Sequence, residues 1–280
     1  MLSPKTPRAN CRELIRVCRC SPILKLMNEQ IPETNVVTLA TKSAPFGSLK
    51  VDFTKIRRDG FQILRGFGTD LARLEYELSS ISGGKLFYSD RIGSFVHQFR
   101  VLRQSENLSE QPSCGGYHTD FMFQARPPEF VALLCLHPDP KHPLFGRNQI
   151  VPLDAFVERL NTIFGVTEND LKTIGIDYTF PGRLPISVSI LNQLDGKSIL
   201  KLHTTLMPEG KLKAFDNLPL KSAIEAVCGE VAEDLVLNRG DLLIMSNHSA
   251  LHRRSECTLA FDSSCNSFRS REMATIRFDR

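Results

Sequence analysis

The sequence predicts a mainly β fold with helical cover, of the β-barrel or jelly-roll type. After about residue 51, short apolar or alternating segments dominate, and three segments repeat apolar residues at helical spacing. The 280 residues are 41% hydrophobic and 24% charged, close to the average of globular domains. No stretch approaches the roughly 20 apolar residues of a membrane-spanning helix. We therefore expect a globular domain that does not act at a membrane.

Three helices are predicted from spacing and end signals. The first follows a capping residue, Thr69 or Asp70, and stops at Gly83-Gly84. The second ends before Gly165, because apolar residues recur there at helical spacing: Leu153, Phe156, Leu160 and Ile163. The third begins near Leu218-Pro219 and runs to about Cys228.

Strands are predicted for most of the remainder. A continuous apolar run of seven residues is short enough for a fully buried strand, and the other segments alternate or flank a turn. In chain order these strands are Phe130–Leu136, Ile186–Ile190, Val236–Leu237, Leu242–Met245 and Met273–Phe278.

Residues 1–45 are predicted to form a basic N-terminal arm, and residues 46–280 the domain. Six basic side chains against Glu13 give residues 1–25 a charge of +5, which is typical of a transit peptide or a disordered terminus. Eight cysteines without a CxxC pair indicate a reducing compartment. We expect a cytoplasmic protein, or an organelle-targeted one if the arm is a transit peptide. The net charge of +4 does not suggest a nucleic-acid partner.

The segment Gly115–Phe121 carries the clearest chemical signal. It contains His118 and Asp120, and residues i and i+2 of an extended segment point to the same face. One imidazole and one carboxylate can therefore meet at a common point. A second histidine from a distant strand would complete the facial triad of a non-haem Fe(II) enzyme, which leaves coordination positions open.

The third ligand is expected in the loop after the strand Leu242–Met245. This loop carries both His248 and His252. Residue spacing alone does not choose between them.

These pieces together resemble the Fe(II)/2-oxoglutarate dioxygenases of the taurine dioxygenase (TauD/TfdA) and clavaminate synthase type. The resemblance spans Leu86 to Arg280 and depends on linked motifs in the family's order: Tyr117–Phe121 with Phe123, the apolar strand in Arg126–Leu136, Gly240–Leu243, Asn247, Leu251–Arg254, and Arg271 at the start of the last strand.

The resemblance implies a double-stranded β-helix (jelly-roll) fold, with Fe(II), 2-oxoglutarate and O2 as cofactor and co-substrates. It selects His252, five residues after Asn247, as the distal ligand, and it makes His248 a neighbouring or pocket residue. It also implies that Arg271 binds the distal carboxylate of 2-oxoglutarate, since a planar guanidinium suits a carboxylate. Arg269 is the alternative.

Two positions depart from the family pattern. Where the family often has a threonine that helps hold 2-oxoglutarate, this chain has Gly146–Gln149, so Gln149 is the candidate for that hydrogen bond. The glycine that follows the distal histidine is Arg253 here. On the last strand, Arg277 shares a face with Arg271 and either meets an anionic group of the substrate or has a structural or solvent-facing role.

The expected reaction is oxidative decarboxylation of 2-oxoglutarate coupled to hydroxylation, desaturation or ring closure of a small, amino-acid-like substrate. The retained Asp120 argues against a halogenase, which needs that coordination position for halide. A zinc metallohydrolase with the same three ligands and a silent binding protein on the same barrel are the alternatives. The sequence does not set the oligomeric state.

Overall fold

The computed structural model describes residues 49–90, 92–179, 184–208 and 220–280, together with the backbone of the short strand at residues 36–37. The rest of the predicted basic arm and the start of the third predicted helix lie outside the described residues. Within the described ranges, no helix is both long enough and apolar enough to span a bilayer.

The helices and strands are numbered here in chain order. The helices are α1 (Phe53–Asp59), α2 (Leu71–Ser82), α3 (Leu153–Phe164), α4 (Glu168–Thr173) and α5 (Leu220–Val231). The strands are β1 (Val36–Val37), β2 (Phe61–Leu64), β3 (Leu86–Phe87), β4 (His97–Arg100), β5 (Phe130–His137), β6 (Asn148–Pro152), β7 (Gly175–Tyr178), β8 (Ile186–Ser189), β9 (Leu191–Leu194), β10 (Lys197–Leu200), β11 (Glu233–Leu235), β12 (Leu242–Ser246), β13 (Ala250–Arg254), β14 (Ala260–Asp262), β15 (Ser267–Arg269) and β16 (Glu272–Phe278).

The larger sheet is antiparallel and has the order β1-β3-β16-β5-β12-β2, with β4 also paired to β16. The predicted apolar run forms its central strand β5. Phe130, Ala132 and Leu134 pack on one side with residues of α1 and α2, while Val131 and Cys135 belong to a second cluster on the other side. Burial on both faces explains why this strand is apolar without alternation.

The smaller sheet has the order β11-β6-β13 and is extended by isolated bridges from residue 252 to residue 118 and from residue 118 to residue 203. Its inner face meets the larger sheet, because Ile150 of β6 and Ala250 of β13 share a buried cluster with β5, β12 and β16. Its outer face is covered by α3, α5 and the β7–β10 hairpins. Two facing antiparallel sheets with helical cover confirm the predicted jelly roll.

The predicted helices are present with nearly the expected ends. Asp70 caps α2 by accepting hydrogen bonds from two backbone N–H groups of its first turn, and Gly165 ends α3 in the left-handed conformation (φ 67°). One predicted strand is displaced. Strand β11 ends at Leu235, and Val236 follows it as a loop residue whose carbonyl accepts a hydrogen bond from Arg65.

Candidate metal centre

His118 and His252 meet because their backbones pair. The N–H of each residue donates to the carbonyl of the other at 3.0 Å. Directly opposed residues of an antiparallel pair have side chains on the same face. Both imidazoles therefore project into the space between the two sheets, and their ring centroids lie 4.3 Å apart. Pairing between residues 134 positions apart in the chain thus builds one side of the site.

Asp120 completes a group of three possible ligands. Its Oδ1 lies 3.5 Å from Nε2 of His252 and 3.7 Å from Nε2 of His118. One ligand atom from each of the three residues falls within 4.8 Å of the others. The structure thus brings together all three residues predicted to bind the metal.

Asn247 fixes the backbone of Asp120. Its Oδ1 accepts a hydrogen bond from the Asp120 N–H at 2.6 Å, and its Nδ2 donates to the carbonyls of Asp120 and Pro128, both at 2.9 Å. Asn247 is fully buried and lies in the loop between β12 and β13. The amide therefore joins the segment that carries Asp120 to the hairpin that carries His252.

The tautomer and charge of His118 suit a metal ligand. Its Nδ1 lies 2.9 Å from the carbonyl of Gly116, so an N–H placed there leaves the Nε2 lone pair facing Asp120 and His252. Burial, together with repulsion from His252 and His203, lowers the pKa of His118 to about 3. The ring is therefore neutral at physiological pH, and neutral imidazole is the form that binds metals.

Gly116 has a steric reason to be glycine. A Cβ at this position would lie 2.3 Å from Oγ1 of Thr205 and 2.6 Å from Oγ1 of Thr204. The close approach lets the Gly116 N–H donate to Thr205 Oγ1 at 3.0 Å. This contact ties the His118 segment to the segment that carries His203.

Two of the remaining histidines, His97 and His203, line the cavity, whereas His248 lies outside its wall. His248 does not line the cavity, and its Nε2 lies 2.9 Å from the carbonyl of Pro127. His203 lines the cavity and stacks on His118 with 4.8 Å between ring centroids. Burial lowers the pKa of His203 to about 4. No sequence motif marks His203, because its pairing with residue 118 joins positions far apart in the chain and leaves no local pattern.

Arg271 lies in the same cavity, close to Asn148. Its side chain is buried, with 4% of the residue exposed, and its Nη2 donates to Oδ1 of Asn148 at 2.9 Å. Within the described ranges, Nδ2 of Asn148 and Oγ1 of Thr275 are buried and have no hydrogen-bond partner. All three side chains line the cavity. Arg269 is different, since its side chain is 70% exposed and pairs with Asp262.

Gly146 allows the loop before β6 to lie on the stem of Arg271. Its φ is +68°, in the left-handed region, and an added Cβ would lie 3.0 Å from Cδ of Arg271 and 2.8 Å from Cβ of Asp139. A larger residue would therefore press on the Arg271 side chain. The glycine is part of what holds the guanidinium in place.

Gln149 is not brought into the cavity. Asn148 and Ile150 line it, and Gln149, between them on β6, faces the other side of the strand. The Gln149 side chain donates to Asp234 at 2.6 Å and accepts from Arg253. The structure therefore offers Asn148, one residue earlier, as the amide beside Arg271.

The cavity between the sheets has a volume of about 240 Å³. Asp120 is the one acidic side chain among the described residues of its wall, against four arginines: Arg253, Arg254, Arg271 and Arg277. Arg277 donates from Nε to Oδ2 of Asp120 at 2.6 Å. Burial alone would raise the pKa of Asp120, but the Arg277 guanidinium and the two histidines hold it well below its usual range.

The described side chains fit the groups that the sequence resemblance implies. Two imidazole nitrogens and one carboxylate oxygen on one side of a cavity form the donor set of non-haem Fe(II) sites. The buried guanidinium of Arg271, bonded to an Asn148 amide whose Nδ2 has no partner among the described residues, fits a carboxylate of a second ligand.

No protein-family model and no curated protein sequence matches the chain. Solved structures match its fold. An asparagine oxygenase in complex with Fe(II), 2S,3S-3-hydroxyasparagine and succinate is 16% identical, with a TM-score of 0.57 over 80% of this chain and 77% of that one. The chain has the fold of a non-haem iron oxygenase.

Two further structures agree with this fold. The non-haem iron oxygenase OrfP in complex with Fe is 14% identical, with a TM-score of 0.54 over 80% of this chain and 78% of its own. A taurine dioxygenase from Burkholderia xenovorans is 14% identical, with a TM-score of 0.54 over 82% of this chain and 83% of its own. At these low identities the matches establish the fold alone. Taurine dioxygenase, the enzyme type that the sequence resembles, has this fold.

Proposed function

We propose that the protein is a non-haem Fe(II)/2-oxoglutarate-dependent oxygenase that oxidises a C–H bond of a small, amino-acid-like substrate. The observation that carries the proposal is the presence of the His118–Asp120–His252 group and the buried Arg271 in one cavity. A zinc hydrolase would use the first feature but would have no need of the second.

In this proposal His118, Asp120 and His252 hold Fe(II), and Arg271 binds the distal carboxylate of 2-oxoglutarate. Bound Fe(II), with 2-oxoglutarate and O2, supplies the oxidative decarboxylation that is coupled to oxidation of a C–H bond. The chain contributes a neutral His118, an ionised Asp120 and unpartnered donors at Asn148 and Thr275. Apolar side chains of Val131, Leu133 and Met245, among others, line the cavity and limit water there.

The arginines of the described cavity wall all have assigned partners. Arg254 donates to three backbone carbonyls, at Gln111, Ser113 and Ser255, and Arg253 donates to Gln149. Arg277 pairs with Asp120, and Arg271 is assigned to 2-oxoglutarate, so no guanidinium of the described wall is left for the substrate. The asparagine oxygenase and OrfP structures contain 3-hydroxyasparagine and (3S)-hydroxy-L-Arg, respectively, which supports an amino acid as the first substrate class to test.

An anaerobic titration tests the proposal. Fe(II) and 2-oxoglutarate, added together to the metal-free protein, are expected to give a weak visible charge-transfer band that neither gives alone. The matched variants His252→Gln and His248→Gln should separate, the first losing the band and the second keeping it. No band in the wild type, with hydrolysis supported by zinc, would overturn the assignment in favour of the hydrolase. Amino acids are then screened for stimulated succinate release, and the product mass distinguishes hydroxylation from desaturation.

A further inference from the structure

The two oxygens of Asp120 have different surroundings. Oδ1 faces both histidines, at 3.5 Å and 3.7 Å from their Nε2 atoms. Oδ2 accepts a hydrogen bond from Nε of Arg277 at 2.6 Å, within an ion pair whose side chains are 23% and 14% exposed. Oδ1 alone is therefore directed at the point where the two imidazoles meet.

The surrounding chain holds Arg277 in this position. Arg277 lies on β16 in register with Val131 of β5, in the middle of the larger sheet. Its guanidinium carbon lies 5.0 Å from the centroid of the Phe121 ring. Phe121 directly follows Asp120 and has a φ of 56°, a left-handed conformation that is unfavourable for a residue other than glycine. The turn that carries Asp120 thus folds over Arg277.

We propose that Arg277 is a positioning residue that occupies Oδ2 of Asp120 and so keeps this carboxylate a one-oxygen metal ligand. The inference rests on the proposed function. A facial triad that uses one carboxylate oxygen leaves three coordination positions for the co-substrate and oxygen. A carboxylate that bound through both oxygens would take one of those positions.

The proposal predicts opposite effects on metal and co-substrate when the guanidinium is removed. Arg277 carries a positive charge beside the site, so its loss favours binding of a divalent cation. The same loss frees Oδ2 to turn towards the metal and to compete with 2-oxoglutarate. A residue with a merely structural role would weaken both kinds of binding together.

The test uses the full-length variants Arg277→Met and Arg277→Lys. Arg57→Met is a matched control, since Arg57 donates from Nε to Glu129 at 2.7 Å and lies over the Phe130 ring, outside the cavity wall. Arg277→Met should bind Co(II) as tightly as the wild type or more tightly, and its complex should bind 2-oxoglutarate at least about tenfold more weakly. Arg277→Lys should recover most of the 2-oxoglutarate binding, because an ammonium can still meet Oδ2 as a point charge.

Infrared difference spectra supply a direct second readout. With 13C-labelled aspartate and Zn(II), the separation of the two carboxylate stretches should be wide in the wild type and in Arg57→Met, and narrower in Arg277→Met. Equal loss of Co(II) and 2-oxoglutarate binding, or no change in either, would overturn the role of Arg277. If the wild type binds no Fe(II) together with 2-oxoglutarate, the proposed function itself fails, which is a different result.

Discussion

Arg271, just before the last strand, and Arg277, on that strand, line the same cavity but have different surroundings. Arg271 is almost fully buried and donates to the side-chain amide of Asn148, whose own Nδ2 has no partner among the described residues. Arg277 is more exposed and already pairs with the carboxylate of Asp120. The comparison shows that a guanidinium in a cavity can bind the anionic group of a ligand only where it is not already paired with a carboxylate of the protein.

The largest expected effect comes from removing the proposed metal ligands, of which Asp120 contacts Arg277. Asp120→Ala and His252→Ala should each lower turnover by more than about 100-fold. Loss of a residue that only supports a metal ligand can cost that much, and each of these variants removes one of the three proposed ligands itself. His248→Ala should be much milder. Bound iron and succinate release are measured on purified protein, with circular dichroism to verify folding.

The contrary outcome for this prediction is specific. If His248→Ala lost iron while His252→Ala retained it, the assignment of the distal ligand would be wrong. Such a result would also remove the basis for comparing the two arginines, since Asp120 would no longer lie at the metal.

At the other end of the cavity, Arg271→Lys should raise the apparent KM for 2-oxoglutarate by at least about tenfold, or roughly 1.4 kcal/mol of binding, because an ammonium cannot form the bidentate pair. Arg269→Lys is the matched control and should change little, since that side chain is exposed and pairs with Asp262. Steady-state kinetics with varied 2-oxoglutarate measure both variants. The reverse ranking would move the anion site to Arg269.

Much of the fold could be predicted because the relevant signals are local. The run in β5 has the length and apolar character of a strand buried on both faces, and α2 and α3 have recognisable caps at Asp70 and Gly165. Strand β11 was misplaced at Val236–Leu237. Its residues Glu233 and Asp234 are exposed and give no apolar signal, although their backbones pair with β6.

The candidate site likewise combines residues that have a local sequence signal with residues that have none. The spacing of His118 and Asp120 is a local feature, and His252 followed from the linked motifs of the family. The sequence analysis proposes Gln149 for the hydrogen bond to 2-oxoglutarate, whereas Asn148, one residue earlier, lines the cavity, because a shift of one residue on a strand reverses the face. His203 and the ion pair of Arg277 with Asp120 depend on pairings across the fold, which a single sequence does not show.

The pH dependence of stability should also distinguish the two ends of the cavity. The pKa of His203 is about 4 in the folded protein, against about 6.5 in an unfolded chain. Below pH 6.5 the unfolded state therefore binds a proton that the folded state does not, so stability is complete above that pH and is lost as the pH falls towards 4. Arg271 does not titrate in this range.

Urea unfolding of the metal-free protein between pH 7 and pH 4.5 measures this effect. His203→Gln should reduce the pH slope by up to about 1.4 kcal/mol per pH unit, the contribution of one proton. Arg271→Met should leave the slope unchanged, whatever it does to stability itself. An identical slope in His203→Gln and the wild type would show that His203 is not held neutral by the fold.

The smallest expected effect concerns the hydroxyl of Thr275, a residue of β16 that lies between Arg271 and Arg277 in the chain. This oxygen is buried, lines the cavity and has no hydrogen-bond partner among the residues described. If it donates to 2-oxoglutarate, Thr275→Val removes about 1 kcal/mol of binding, or roughly a fivefold increase in Kd. The same substitution removes an unpaired polar atom, so the ligand-free protein should be at least as stable as the wild type.

Thr173→Val, at an exposed hydroxyl bonded to the carbonyl of Asp170, controls for the loss of a threonine and should leave 2-oxoglutarate binding unchanged. Titration calorimetry and urea unfolding test both halves. Unaltered binding with raised stability would show that the co-substrate does not reach Thr275 and would confine its carboxylate to Arg271 and Asn148.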